Sequence, residues 1–239
     1  MKTKSTLLKM ALVGLFMMFG ATTFAQTYSL YICQGGSATL SGPALATGET
    51  LRWTENVAGT DVVQTSTGSN FTTPTTLSPG EHIFNVAIVS GDPTTTGCLG
   101  DKSADFKVFV LPTIVLTLDD PTNATYCTSN GINTSAITAN VTAPTITVPT
   151  EVTYEFSWDV NGAPAISGGP IGTIANAPTS STFTMTTTTV GAYAFTPTVK
   201  YVVPSNLNSN GNKKGCDATT TAKSVTITPK PTAPTITIQ

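Results

Sequence analysis

A chain of 239 residues with 10% charged residues, a net charge of −2 and a pI of about 5.3 is long enough for two small domains or one larger one. So small and acid-leaning a charge offers no attraction for phosphates and argues against a nucleic-acid partner. Threonine supplies roughly a fifth of the residues; it is β-branched, suits strands, and keeps a solvent-facing strand position wet without charge.

The first residues read as a targeting segment. Lys2, Lys4 and Lys9 precede an apolar run, Met10 to Phe19, that is too short to cross a bilayer core of about 30 Å. Ala21-Thr22-Thr23-Phe24-Ala25 then brings small residues to a cleavage point after Ala25. Met1–Ala25 is therefore expected to be a cleaved signal peptide. Gln26 follows the cut, which argues against a lipid-anchored cysteine. No later run is apolar over about 18 residues, so no membrane span is expected in the mature chain. The protein is expected to be secreted or at a cell surface, with the periplasm also open.

Two stretches then rhyme. Tyr31-Ile32-Cys33 leads to Trp53, to Gly97-Cys98, and to Val108-Phe109-Val110-Leu111-Pro112. Tyr126-Cys127 leads to Trp158, to Gly215-Cys216, and to Val225-Thr226-Ile227-Thr228-Pro229. The pattern uses all four cysteines, two per unit. In an oxidising compartment an even count reads as disulfides, and the repeat selects Cys33–Cys98 and Cys127–Cys216, one bond inside each unit. No close Cys-x-x-Cys pair points to zinc.

Within the units the apolar residues alternate with period two. Val152, Tyr154, Phe156, Trp158 and Val160 point one way; Thr153, Glu155, Ser157 and Asp159 point the other. A strand with a bulky inner and a polar outer face is what one sheet of a sandwich requires, and Asn161-Gly162 ends it with a turn signal. Phe84, Val86 and Ile88 alternate after Ser78-Pro79-Gly80; Phe106, Val108 and Val110 do so before Pro112; Ile114, Leu116 and Leu118 do so before Asp119-Asp120-Pro121. Tyr193, Phe195, Val199 and Tyr201 share a parity, with Pro197 suggesting an edge or bulge. Short strands punctuated by Gly, Pro and Asn indicate an all-β sandwich.

The expected division is 1–25 signal peptide, 26–112 first domain, 113–229 second domain, and 230–239 a linker or the start of a further strand. So short a linker at Leu111-Pro112-Thr113 implies end-to-end stacking with limited bending. The second unit is longer, with its extra residues assigned to loops at Ala143–Thr150 and Pro204–Gly215. After the stiff Pro229-Lys230-Pro231, Thr232-Ala233-Pro234-Thr235-Ile236-Thr237-Ile238 nearly repeats Thr142-Ala143-Pro144-Thr145-Ile146-Thr147. The tail opens a longer array, pairs with a neighbour, or frays.

Cys33-Gln34-Gly35-Gly36-Ser37-Ala38-Thr39-Leu40, Leu51-Arg52-Trp53, Gly80 with Phe84 and Val86, Gly97-Cys98 and a strand ending at Pro112 resemble the Ig-like or PKD-like modules of Gram-negative bacterial surface and secreted proteins. The second unit departs from the pattern, with Thr128-Ser129-Asn130-Gly131 in place of the Gly-Gly turn. The resemblance implies two tandem Ig-like β-sandwiches of about seven strands each. By it Trp53 and Trp158 are packing residues, beside Tyr154 and Phe156 of the same inner face.

Catalytic chemistry is not assembled. A triad would need a nucleophile and a carboxylate set beside the lone histidine, His82, which reads instead as a strand-entry residue next to Ile83 and Phe84, and no Gly-x-Ser-x-Gly elbow occurs. Glu155 and Asp159 stand about 13 Å apart along one strand face, against the roughly 5 to 9.5 Å of a glycosidase pair. Asp119-Asp120 falls short of the six to eight oxygens of calcium. No catalytic, cofactor-binding or metal residues are expected. The leading expectation is a non-catalytic extracellular structural or adhesive module with protein, glycan or sibling-subunit partners. The alternatives are a carbohydrate-recognition accessory, with Tyr28, Tyr31 and Tyr201 as its only aromatic candidates, and a self-assembling fibre subunit that uses the C-terminal strand.

Overall fold

The computed structural model describes residues 28–91, 98–128, 134–204 and 216–236. The signal-peptide reading of Met1–Ala25 lies outside them, as do most of the Pro204–Gly215 loop and the last three residues of the tail. Among the described residues there is no helix, and none therefore that is long and apolar enough to cross a membrane.

The first sandwich is built from β1 (Leu30–Cys33), β2 (Thr39–Ser41), β3 (Glu49–Val57), β4 (Thr60–Gln64), β5 (Asn70–Thr72), β6 (Gly80–Ser90), β7 (Cys98–Leu99) and β8 (Phe106–Leu111). One sheet runs β1-β8-β6-β3-β4, with β7 added to the far end of β6; the facing sheet is β2-β5. β1 and β8 are parallel, with Leu30 opposite Val108 and Cys33 opposite Leu111. The other pairings are antiparallel. Period-two alternation sends Leu30, Ile32, Trp53, Phe84, Val108 and Val110 inward, where Leu40 and Phe71 of the facing sheet meet them. Phe71 lies between Trp53 and Phe84, with ring centroids 5.6 Å and 5.3 Å away. These tilted aromatic contacts, with interplanar angles of 30° and 48°, add to the burial of apolar area.

The second sandwich is built from β9 (Val115–Leu118), β10 (Thr125–Cys127), β11 (Ser135–Thr142), β12 (Thr153–Val160), β13 (Ala163–Pro164), β14 (Gly172–Ala177), β15 (Ser180–Met185), β16 (Gly191–Val202), β17 (Asp217–Thr219) and β18 (Lys223–Thr228). One sheet runs β10-β18-β16-β12-β13, with β17 beside β16; the other runs β14-β15-β11-β9. The first and last strands of the main sheet, β10 and β18, are again parallel. Asn161-Gly162 turns β12 into β13 with both residues at positive φ, 54° and 80°, the conformation of a two-residue hairpin turn.

Trp53 and Trp158 are 4% and 1% exposed, Phe156 is buried, and Tyr154 is half-buried. Trp158 Nε1 donates to Ser181 Oγ at 2.9 Å across the two sheets. Pro197 marks neither an edge nor a bulge. It lies inside β16 opposite Trp158, where the partner on the other side of the strand changes from β18, ending at Phe195, to β17, starting at Thr198. No ladder donor is needed from Pro197 on that side.

The strands correspond between sandwiches: β1 with β10, β2 with β11, β3 with β12, β5 with β15, β6 with β16, β7 with β17 and β8 with β18. The second sandwich adds β9 beside β11 and β14 beside β15.

Candidate functional site

The expected pairing of Cys33 with Cys98 and of Cys127 with Cys216 is not what the structure holds. The bond joins Cys33 to Cys216, with Cα atoms 5.4 Å apart, and so links one sandwich to the other. The strand directions explain it. Cys33 ends β1 beside Leu111, at the Gly80 end of β6, whereas Cys98 faces Ser90 at the opposite end. The eleven residues of β6 separate those ends by about 33 Å, far beyond the roughly 7 Å a disulfide allows between Cα atoms. In the second sandwich Cys127 faces Thr228 at the Gly191 end of β16, while the Cys216 carbonyl accepts from Tyr201 N at the other. Cys98 is an exposed thiol. The half-buried Cys127 donates from its sulfur to the Pro229 carbonyl at 3.5 Å.

The bond closes a junction that apolar side chains fill. Tyr31, Phe109 and Leu111 alternate away from the core of the first sandwich, yet all three are buried. They form one cluster with Ile114 and the core of the second sandwich, against which Ile146, Val148, Val152 and Tyr154 also pack. Tyr28 meets Phe109 edge-on at 5.0 Å and Tyr31 at 5.7 Å. Tyr31 Oη donates to Glu151 Oε1 of the second sandwich at 2.7 Å. Burial first, and the Glu151 carboxylate second, push the Tyr31 phenol above its ordinary range. The same holds for Tyr201, where burial acts first and the side-chain hydrogen bond with Tyr154, whose ring stacks on it at 5.0 Å, second. Tyr31 and Tyr201 are buried and present no open face for a sugar ring, and Tyr28 is half-buried against Tyr31 and Phe109.

His82, Glu155, Asp119 and Asp120 are tied into the surface. His82 Nδ1 lies 2.7 Å from Glu55 Oε1 and Nε2 lies 2.9 Å from the Ser78 carbonyl. A carbonyl only accepts, so Nε2 carries a proton. No hydroxyl or thiol contacts that ring among the described residues. Glu155 pairs with Lys200 at 3.0 Å across an exposed strand face, Asp119 accepts from Asn140 Nδ2 at 3.0 Å, and Asp120 pairs with Lys223. Among the described residues no three His, Cys, Asp or Glu side chains converge on a common point.

No family model and no curated protein sequence matches the chain. Solved structures do. A marsupial T cell receptor superposes with a TM-score of 0.54 at 12% identity, over 87% of this chain and 73% of the receptor chain. Fibronectin(III)-like modules of Clostridium thermocellum CbhA give 0.41 at 15% identity, over 86% and 92%, and the I67–I69 fragment of the titin I-band gives 0.45 at 7%, over 83% and 62%. At such identities the likeness concerns fold alone, and the receptor comparison carries it. The chain has the immunoglobulin-like β-sandwich architecture, laid out twice.

Proposed function

We propose that this chain is a non-catalytic extracellular module of a bacterial surface or secreted protein, divided at Pro112 into two domains that act as one stiff structural or adhesive unit. The observation that carries this reading is the Cys33–Cys216 bond across the junction. A covalent tie between two sandwiches suppresses the hinge motion by which clamps and many enzymes work, and favours a fixed distance between the two ends. The Tyr31–Glu151 hydrogen bond and the buried aromatic seat act in the same direction. The basic-then-apolar leader at Met1–Ala25 and the use of a disulfide support an oxidising, extracytoplasmic setting.

The test has two parts. Small-angle scattering of the purified protein should give one elongated shape, and Cys216→Ser should broaden the distribution of distances between the sandwiches. The protein should turn over no glycan, peptide or ester substrate and should bind producing cells, matrix or its own kind. Measurable turnover, or a scattering profile already broad in the native protein, would overturn the reading.

A further inference from the structure

The junction inside this chain has a counterpart at each outer end. Cys33 closes β1 opposite Leu111, the last residue of β8, and Gln34 N then donates to the Leu111 carbonyl at 2.9 Å. Cys127 closes β10 opposite Thr228, the last residue of β18, and Thr128 N donates to the Thr228 carbonyl at 3.4 Å. The other two cysteines are likewise equivalent: Cys216 lies beside Tyr201 at the outgoing end of β16, and Cys98 beside Ser90 at the outgoing end of β6. Each sandwich therefore carries one cysteine at its trailing end and one at its leading end. The internal bond joins the trailing cysteine of the first sandwich to the leading cysteine of the second. Leading Cys98 and trailing Cys127 are the same two positions at the outer ends of the pair.

A second observation points the same way. β9 enters the second sandwich directly after Pro112-Thr113-Ile114 and pairs with β11. On the corresponding side of β2 no strand lies among the described residues. That side opens on a hollow lined by Leu40, Trp53, Phe84, Val86 and Phe106, and the buried Nε1 of Trp53 has no acceptor among the described residues. At the other end of the chain β18 also stops before a proline. The segment Thr232–Ile236 beyond Pro229-Lys230-Pro231 forms no strand, and Ile236 is 92% exposed.

We propose that copies of this chain join head to tail through a disulfide between Cys127 of one copy and Cys98 of the next, with Thr232–Ile236 of the first laid along β2 of the second in the place that β9 holds beside β11. This rests on the extracellular structural reading above and names its partner as a second copy. The chemistry is thiol–disulfide exchange. One thiolate attacks a small disulfide oxidant such as oxidised glutathione, giving a mixed disulfide and one reduced glutathione. The second thiolate displaces the other glutathione, so two thiols are oxidised and one disulfide is reduced. The added strand supplies backbone hydrogen bonds at an open edge, as strand addition does elsewhere. The aromatic seat is not repeated: Thr125 and Thr226 stand where Tyr31 and Phe109 stand in the first sandwich. The bond and the strand, rather than apolar burial, hold this contact, and it separates on reduction.

The experiment uses the full chain and two variants, Cys98→Ser and Cys127→Ser, in a glutathione redox buffer that leaves Cys33–Cys216 closed, with circular dichroism and peptide mapping to confirm that both variants are folded. Each variant alone should stay monomeric, an equimolar mixture should give a dimer, and the native protein a ladder; mass mapping should find the Cys127–Cys98 peptide. A mixture that yields no dimer, or either variant alone dimerising as well as the mixture, would overturn the proposal. Removing residues 231–239 should slow cross-linking at least tenfold; an unchanged rate would overturn the strand contact. A failed cross-link leaves the substrate and scattering tests standing, and substrate turnover would sink the functional reading without altering the bond map.

Discussion

Tyr31 and Glu151 are 120 positions apart in the chain and share a hydrogen bond of 2.7 Å. Tyr31 is 2% exposed, so its hydroxyl has no water to fall back on. A hydrogen bond to a charged acceptor contributes about 1.5–3 kcal/mol. Tyr31→Phe keeps the ring and its packing, and should lower unfolding stability by that amount in urea titration. Glu151→Ala added to Tyr31→Phe should cost clearly less than Glu151→Ala alone; equal costs would mean that the pair is not coupled.

The buried phenols give the protein an alkaline limit. Burial raises the pKa of Tyr31, Tyr201, Tyr28 and Tyr126 in the folded state. A group whose folded pKa lies above its unfolded value releases its proton more readily when unfolded. Its contribution is complete below the unfolded value of about 10 and is lost as pH rises from there. The melting temperature should hold flat from pH 7 to pH 9 and fall steeply above pH 10. Tyr31→Phe, though less stable at neutral pH, should show a shallower alkaline fall.

Opening the Cys33–Cys216 bond frees a loop of 183 positions. On the chain-entropy model such a closure stabilises by on the order of 5 kcal/mol, native strain and residual unfolded structure reducing the figure. Cys216→Ser should therefore lower the denaturant midpoint more than any single surface substitution. Cys98→Ser should leave the unfolding free energy of the monomer within about 0.5 kcal/mol of native.

Gly172 is required for space rather than for turn geometry. A Cβ there would sit 2.2 Å from the Thr184 carbonyl and 3.0 Å from Met185 Cα, which are backbone atoms that cannot step aside without breaking the β14–β15 ladder. Gly172→Ala should cost more than about 2 kcal/mol, within the range of overpacking in a tight interior. Gly168→Ala meets no atom within 4 Å but sits at φ +74°, and should cost about 1 kcal/mol. Thermal melts of the two variants would rank them, and the reverse order would refute the steric account.

Much of the architecture is written locally. The alternation from Val152 to Val160 gives β12, and Asn161-Gly162 gives its hairpin, because period and turn chemistry are properties of neighbouring residues. The cysteine bond was not legible in the same way. A repeat shows which positions are equivalent, not which are adjacent, and the ends of the antiparallel strands decide adjacency. The parallel pairing of β1 with β8 and of β10 with β18 joins residues far apart in sequence and fixes those ends. The seat at Tyr31 and Phe109 leaves a trace in the sequence: Leu30-Tyr31-Ile32 and Val108-Phe109-Val110-Leu111 are unbroken apolar runs, the mark of strands covered on both faces. Tyr201 shared its parity with Phe195 and Val199, which pointed inward rather than to a ligand.

The sulfur bridge also reroutes mechanical load. Tension applied between Leu30 and Thr228 passes along the four residues of β1, through Cys33 and Cys216, and out along the thirteen residues from Cys216 to Thr228. The intervening loop, including β3, β6, β12 and both tryptophans, lies off that path. A pull on the molecule stretches a short covalent shunt while nearly all of both hydrophobic interiors stays unstressed.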